Sequence, residues 1–323
     1  MRILIRATTL ISGLLFLLGP AVSEEWPNRP IKMIVSMAAG SGPDIICRLI
    51  SNKLTAALGQ QFVVENKPGG TNMIGAVTAA RAAPDGYTLF FATAAALASN
   101  PHTFKALPYD PLKDFVSVAI VAKGPFLILA NPGVPGSTLQ DVIAYDKANP
   151  GKLSLATDGP KNFSGMLATW LNKLSGANII QIPYATMPRG VQDTIAGHTQ
   201  LTIVSIPVAA PLIANGSLKA IATTWSQRLP QFPQVPTIAE TFPGVEVTGW
   251  FAVVAPSGTP TDIVGRLNRE MNEILKDPVI VDRLATLGFF TEENNTPEAA
   301  SQFEKKQYEL WGRVTREIGL EPE

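Results

Sequence analysis

Ile31-Lys32-Met33-Ile34-Val35-Ser36-Met37-Ala38-Ala39-Gly40-Ser41-Gly42-Pro43-Asp44 reads as a strand, a loop and the first turn of a helix. The apolar, β-branched run 31–35 suits a strand, Gly40 and Gly42 permit unusual backbone angles, and Pro43 suits the start of a helix. Backbone N–H groups gather at such a junction, and the helix dipole adds partial positive charge, so the loop is a candidate anion site. The same residues also suit a plain tight turn. The stretch alone does not separate the two.

Outward from it, a helix over 44–58 closed by Gly59 leads to a strand over 61–65. Next come Lys67-Pro68-Gly69-Gly70, an alanine-rich helix over 72–82, the turn Pro84-Asp85-Gly86 and a strand over 87–92. This β-α-β-α-β order predicts a parallel sheet with ligand loops beyond the carboxyl ends of its strands, at 36–42 and 93–99. Two β-rich runs, 116–122 and 126–130, flank Lys123-Gly124-Pro125 and are expected to carry the chain into a second domain.

The pattern then restarts. Ser137 or Thr138 caps a helix to 148, a strand covers 153–156, and a glycine-containing loop opens at Thr157. Helices over 164–174 and up to 196 alternate with strands over 179–182 and 201–205, and a helix over 207–214 ends at Asn215-Gly216 before a strand over 218–224. A connection carrying Pro230, Pro233, Pro236 and Pro243 leads to a β run over 247–255. From Pro260, apolar residues at helical spacing (Ile263, Val264, Leu267, Met271, Ile274) predict helices that cover the first domain, the last over 297–318.

Residues 1–23 carry Arg2 and Arg6, an apolar run over 14–18 and the small triplet Ala21-Val22-Ser23. That is the pattern of a secretory signal peptide, with an apolar core shorter than the ~20 residues of a membrane span. The remainder, roughly 300 residues, exceeds the usual size of one core and predicts two domains. With 26 basic and 26 acidic residues, nothing points to nucleic acid. The single cysteine, Cys47, sits among Ile45, Ile46, Leu49 and Ile50 and is expected to pack as a small apolar side chain.

The inventory for catalysis is thin. His102 and His198 read as turn or surface residues, and no Gly-x-Ser-x-Gly elbow is present. No cluster has metal-ligand spacing. Neither Gly40-Ser41-Gly42-Pro43 nor Gly69-Gly70-Thr71-Asn72 completes a nucleotide fingerprint. No cofactor is expected. Loops rich in hydroxyls and backbone donors fit binding without turnover.

Four stretches carry a specific resemblance: Trp26-Pro27-Asn28-Arg29-Pro30 with the run to Asp44, Val63-Val64-Glu65-Asn66-Lys67-Pro68-Gly69-Gly70, Ala83-Pro84-Asp85-Gly86-Tyr87-Thr88-Leu89, and Leu107-Pro108-Tyr109-Asp110-Pro111-Leu112-Lys113-Asp114-Phe115. Pro150-Gly151-Lys152-Leu153, Ile182-Pro183-Tyr184, Asp193, Val235-Pro236-Thr237-Ile238-Ala239-Glu240 and Leu267-Asn268 extend it. Together they resemble the Bug family, the extracytoplasmic binding proteins of tripartite tricarboxylate transporters. The resemblance covers nearly the whole chain after residue 23.

It implies an α/β, two-domain periplasmic binding protein fold of type II, each domain a mainly parallel sheet flanked by helices, with the ligand cleft between them. Residues 24–124 with 248–323 are expected to form the first domain and 125–247 the second. It also implies a monomeric periplasmic receptor that closes on a small carboxylate and meets membrane transporter subunits. The ligand contacts it implies are Ala38, Ala39, Gly40, Ser41, Gly42 and Asp44 in the first loop, and Thr93, Ala94 and Ala95 after the third strand. From the second domain come Thr157, Asp158, Gly159 and Asn162, then Tyr184, Ala185, Thr186 and Met187, then Val204 and Ser205.

Several positions depart from the family pattern. Ser36-Met37-Ala38-Ala39-Gly40-Ser41 replaces a common Pro-Phe-Ala-Pro-Gly-Gly, Pro43 replaces a common threonine, Thr157-Asp158-Gly159-Pro160-Lys161-Asn162 replaces a serine-rich stretch, and Ser205 replaces a common aspartate. Pro43 removes one N–H donor and Ser41 adds a hydroxyl. With Met37, Met187 and Phe163 as an apolar end, these departures favour a monocarboxylate or aromatic carboxylate over citrate. Asp44 reads either as a ligand contact or as a cap of its own helix, and Asp158 beside Lys161 as a selectivity pair or a solvated one. Two other functions use the same inventory: a sensor that signals to a membrane kinase, and a small-ester hydrolase dependent on Ser164.

Overall fold

A computed structural model describes residues 25–322, so the signal peptide read from residues 1–23 lies outside the described residues. The chain runs β1 (Ile31–Val35), α1 (Gly42–Leu58), β2 (Phe62–Asn66), α2 (Met73–Ala80) and β3 (Thr88–Thr93), then a π-helical turn (Ala95–Ser99), α3 (Asn100–Thr103) and β4 (Phe115–Gly124). After Pro125 come β5 (Phe126–Ala130), α4 (Leu139–Ala148), β6 (Ser154–Thr157), α5 (Phe163–Ser175), β7 (Ile180–Pro183) and α6 (Met187–Ile195). Then follow β8 (Leu201–Ser205), α7 (Ile206–Ala214), β9 (Lys219–Thr223) and α8 (Ile238–Thr241), and finally β10 (Gly249–Pro256), α9 (Thr261–Lys276), α10 (Pro278–Thr286) and α11 (Pro297–Glu317).

The strands form two five-stranded sheets, β2-β1-β3-β10-β4 and β7-β6-β8-β5-β9. In each, four strands run one way and one inner strand runs against them: β10 between β3 and β4, and β5 between β8 and β9. Each reversed strand is the first one after the chain changes sheets. Only Pro125 separates β4 from β5, too short a link for a helical crossover, so the chain passes straight from one sheet into the other. Parallel pairing of β1 with β3 and of β6 with β8 then puts the carboxyl ends of all four at the edge where the crossing occurs.

Local chemistry sets the element boundaries. α1 starts with proline in its first turn and stops at Gly59, whose φ of 69° lets its N–H reach Thr55 O. Thr138 and Asp141 bond reciprocally at the start of α4 as a capping box. The apolar stripe of α9, with Ile263, Leu267, Met271 and Ile274, is buried against the first sheet; each such side chain is worth roughly 1.5–3 kcal/mol over exposure. Cys47 is fully buried there. Burial pushes its thiol up to about 12, so it packs as an apolar group. Each sheet has one face in its own core, while the opposite faces share a continuous core that includes Ile34, Phe90, Ile128, Leu155, Trp250 and Trp311.

Three features differ from the sequence reading. The segment after β3, read as a loop, is a π-helical turn and α3; the wide turn frees the Ala96 carbonyl, and the Tyr109 hydroxyl donates to it at 2.6 Å. His102, read as a turn or surface residue, packs under α11, with Nε2 2.9 Å from Tyr308 O and the two rings edge to face. Burial holds its pKa below the usual range. α11 covers the first sheet as expected, but it also reaches the second, where Trp170 Nε1 donates to Glu317 at 2.7 Å.

One buried acid on α11 gives the fold a pH dependence. Ser117 Oγ donates to Glu304 Oε2 at 2.7 Å, while Oε1 is buried with no partner, and burial pushes the carboxyl up to about 7. The folded state therefore holds a proton that the unfolded chain has released by pH 5–6. Stability falls as pH rises from about 4.5 to about 7, by on the order of 3 kcal/mol, and levels off above. Glu304→Gln is expected to flatten that part of a urea-melt series and to leave the variant more stable than the parent at pH 8 but not at pH 4.5. An unchanged pH profile would remove Glu304 as its cause.

Candidate functional site

Two adjoining cavities occupy the edge where the sheets meet. The first, about 390 Å³, is lined by the ends of β1, β3 and β4, the start of β10, and residues of α5 and α11. The second, about 430 Å³, lies on the second sheet among α5, α6 and α7. They share Phe126, Phe163 and Ser205. Phe126 and Phe163 stack at 4.3 Å, and Phe163 meets Trp311 edge-on at 6.0 Å. These rings form the wall common to both compartments.

Of the positions singled out in the sequence, Thr93, Ala94, Ala95, Asn162 and Ser205 line the first cavity, and Asp158, Met187, Val204 and Ser205 line the second. Met37 and Phe163, expected at an apolar end, line the first, and Phe163 the second as well. Thr157 is fully buried, and neither it nor Gly159 lines either cavity. Residues 184–186 also lie outside them; the Tyr184 hydroxyl donates to Asp193 at 2.9 Å.

Residues 38–42 line neither cavity, although their neighbours Met37 and Pro43 line the first. The loop is closed on itself: Gly40 N–H donates to Asp44 Oδ2 at 2.8 Å and Ser41 N–H to Ala38 O at 3.2 Å. Asp44, buried at 2 % exposure, also accepts from Arg48 Nε and Asn66 Nδ2. Burial pushes its carboxyl up, but the bonds from Arg48, Asn66 and Gly40 outweigh that and hold it below the usual carboxylate range. Asp44 thus braces the loop against β2. Of its two sequence readings, the cap of its own helix does not form: α1 starts with no side-chain cap bond, and Asp44 takes the Gly40 N–H ahead of the helix instead.

Other lining residues escaped the sequence reading. Thr71 and Asn72 have φ of 49° and 74°, left-handed values that cost a β-branched residue about 1–2 kcal/mol. Asn100 Nδ2 donates to Thr71 O at 2.7 Å and Ser36 Oγ to Asn72 Oδ1 at 3.0 Å, which hold the strained pair at the cavity. The sequence signal was Gly69-Gly70 just before them. Trp250, Phe289 and Trp311 arrive from distant parts of the chain. No local pattern marks them.

The helix starts divide by location. Thr138, Thr237, Asp277 and Thr296 cap α4, α8, α10 and α11 through their side chains, and all four lie away from both cavities. At the cavities α1, α5, α6 and α7 begin with no side-chain cap. α9 also lacks one, starting from Pro260, which has no capping oxygen. α1, α6 and α7 therefore present their free first N–H groups and dipoles without a side-chain acceptor, whereas at α5 Asp158 Oδ1 already accepts the Ser164 N–H at 3.3 Å. The α5 loop stays in place because Gly165 admits the Gly159 carbonyl where any Cβ would collide with it.

Neither histidine lines either of these two cavities, and Ser164 Oγ donates to Asp158 Oδ1. Among the described residues no three metal-ligating side chains cluster, and no helix is long and apolar enough to cross a membrane.

The tripartite tricarboxylate transporter family receptor model matches residues 46–320, and the chain belongs to that family of solute-binding receptors. It is 34% identical to the protein BugT of Bordetella pertussis over 303 residues, 93% of each chain. Among solved structures, it resembles the R. palustris protein Rpa4515 with adipate (29% identity, TM-score 0.77, 92% of this chain and 100% of that one). It also resembles the periplasmic binding protein BugD (31% identity, TM-score 0.73, 92% and 100%). The fold is the two-domain binding-protein fold, and the family's members are receptors, not enzymes.

If Asp44 braces the loop, Asp44→Asn should lower the melting temperature, because the Arg48 and Gly40 donors lose a charged acceptor worth about 1–3 kcal/mol. Ligand affinity should change less than threefold. Calorimetric titration decides the matter: a tenfold loss of affinity with unchanged melting would make Asp44 a ligand contact.

Proposed function

We propose that this chain is a periplasmic receptor that captures a small organic carboxylate, with preference for a monocarboxylate or aromatic acid, and delivers it to the membrane subunits of a tripartite tricarboxylate-type transporter. The observation that carries this reading is the pair of uncapped helix starts, α1 and α7, at a cavity with aromatic walls and no arginine in its lining. A desolvated carboxylate needs several donors, and neutral N–H groups supply them without burying a second ion. Phe126, Phe163, Trp250, Phe289 and Trp311 offer the apolar remainder of the ligand a matching wall.

In this reading the receptor acts as a monomer. Residues 24–124 with 248–323 form one jaw and 125–247 the other, and they turn about the paired crossings at 123–125 and 248–250. The jaws contact the ligand through residues 38–42, 93–95, 157–159 with Asn162, 184–187 and 204–205; for the first loop and for 184–186 this requires closure beyond the arrangement described above. The signal-peptide pattern of residues 1–23 supports export.

A thermal-shift screen of carboxylates tests the binding step. A true ligand at a hundred times its Kd stabilises by about 2.7 kcal/mol and should raise the melting temperature by about 5 °C or more. Trp250 and Trp311 line the first cavity, so intrinsic fluorescence should change with it, and small-angle scattering should record compaction. Ser205→Ala removes a hydroxyl at the shared wall and should weaken binding about three- to tenfold. A protein that stays rigid and binds no carboxylate overturns the reading. Transport assays in a deletion strain test delivery: uptake that persists without the protein would point to sensing instead.

A further inference from the structure

We propose that the second cavity receives the uncharged end of the ligand and that Asp158 excludes a second carboxylate from it; this rests on the carboxylate reading of the cleft. The two compartments adjoin at Phe126, Phe163 and Ser205, which line both, and in this proposal a ligand held in the first by its carboxylate passes the Phe163 ring into the other. There it meets Met187, Val191, Val204, Val208 and Leu212. Asp158 is the one charged side chain in that lining, and Lys161 the one in the first.

Asp158 is held in place. Ser164 donates to its Oδ1 through both backbone N–H and Oγ, while Asp158 N–H donates to Ser164 Oγ at 2.9 Å. Ser164 itself is buried at 4 % exposure. The carboxylate therefore cannot swing out of the way when an anion arrives. A second ligand carboxylate entering this compartment would lose water, find an apolar wall and face a fixed like charge, three penalties that act together. An alkyl or aryl end meets none of them. Asp158 thus becomes a specificity determinant of this cleft.

Hexanoate and adipate, equal in carbon number and different by one terminal carboxylate, are the probes, titrated calorimetrically into the purified protein. The parent should bind hexanoate at least tenfold more tightly than adipate. Asp158→Asn keeps an oxygen for the Ser164 bonds and should shift the hexanoate-to-adipate affinity ratio at least fivefold toward adipate. Val208→Trp fills the second cavity from a position that is 43 % exposed, where it does not threaten folding, and should weaken hexanoate at least fivefold. Adipate binding as tightly as hexanoate, or a ratio that Asp158→Asn leaves unmoved while both acids bind, overturns this inference and leaves the carboxylate site standing. Failure of every carboxylate to bind overturns both.

Discussion

The double passage of the chain between the sheets is the constraint on which the rest depends. Gly124, leaving the first sheet, pairs directly with Gly249, entering it. A Cβ at Gly124 would lie 2.4 Å from the Phe289 ring, so only glycine lets the ring close over the crossing. On the far side Phe126 and Thr224 exchange bonds, Phe126 N–H to Thr224 Oγ1 and Thr224 N–H to Phe126 O, each 2.9 Å. Two backbones tied side by side resist shear but bend together. The strand ends that flank this pair line the first cavity.

That position also explains the chemistry of the walls. At a crossing, side chains from both sheets and from α11 converge, and there is room for large rings but little for solvated ions. The exterior follows a different rule: Arg29 with Asp85, Lys113 with Asp110, and Arg228 with Glu240 are paired at the surface, where each pair contributes little to stability. Inside, apart from Lys161 and Asp158, polarity comes from amides, hydroxyls and backbone groups, whose dipoles carry no unmatched buried charge when the site is empty.

How much of this was legible in the sequence depends on the range of the interactions. β5 and β8 fall where alternation and flanking turns placed them, and α1 ends at Gly59 as read, because strand preference and helix capping are local. The π-helical turn and α3 were missed because their cause is distant: Tyr109 satisfies the carbonyl that the wide turn frees. His102 was misplaced for the same reason, since Tyr308 and Gly312 lie far along the chain. In the site, loops that follow strands were readable from element order alone. Thr71 and Asn72 were not, because their strained conformation depends on Asn100 and Ser36, and Trp250, Phe289 and Trp311 meet only when the sheets do.

The first loop illustrates the boundary between pattern and physics. Its glycines and its helix start met every local criterion for an anion cradle, and by those criteria it equals the α5 loop. Packing separates them. Asn66 on β2 donates to both Met37 O and Asp44 Oδ1, which draws the loop toward the edge of its sheet and gives Gly40 N–H an internal acceptor. At α5 the acceptor role goes the other way: Asp158 engages Ser164 inside the helix start, and Asn162 donates to Asp158 O, so the loop folds inward and its residues line the cavities. Two loops of the same type thus divide the work, one shaping an edge and the other forming the wall against which a ligand is sorted, and the difference lies in which carboxylate answers which N–H.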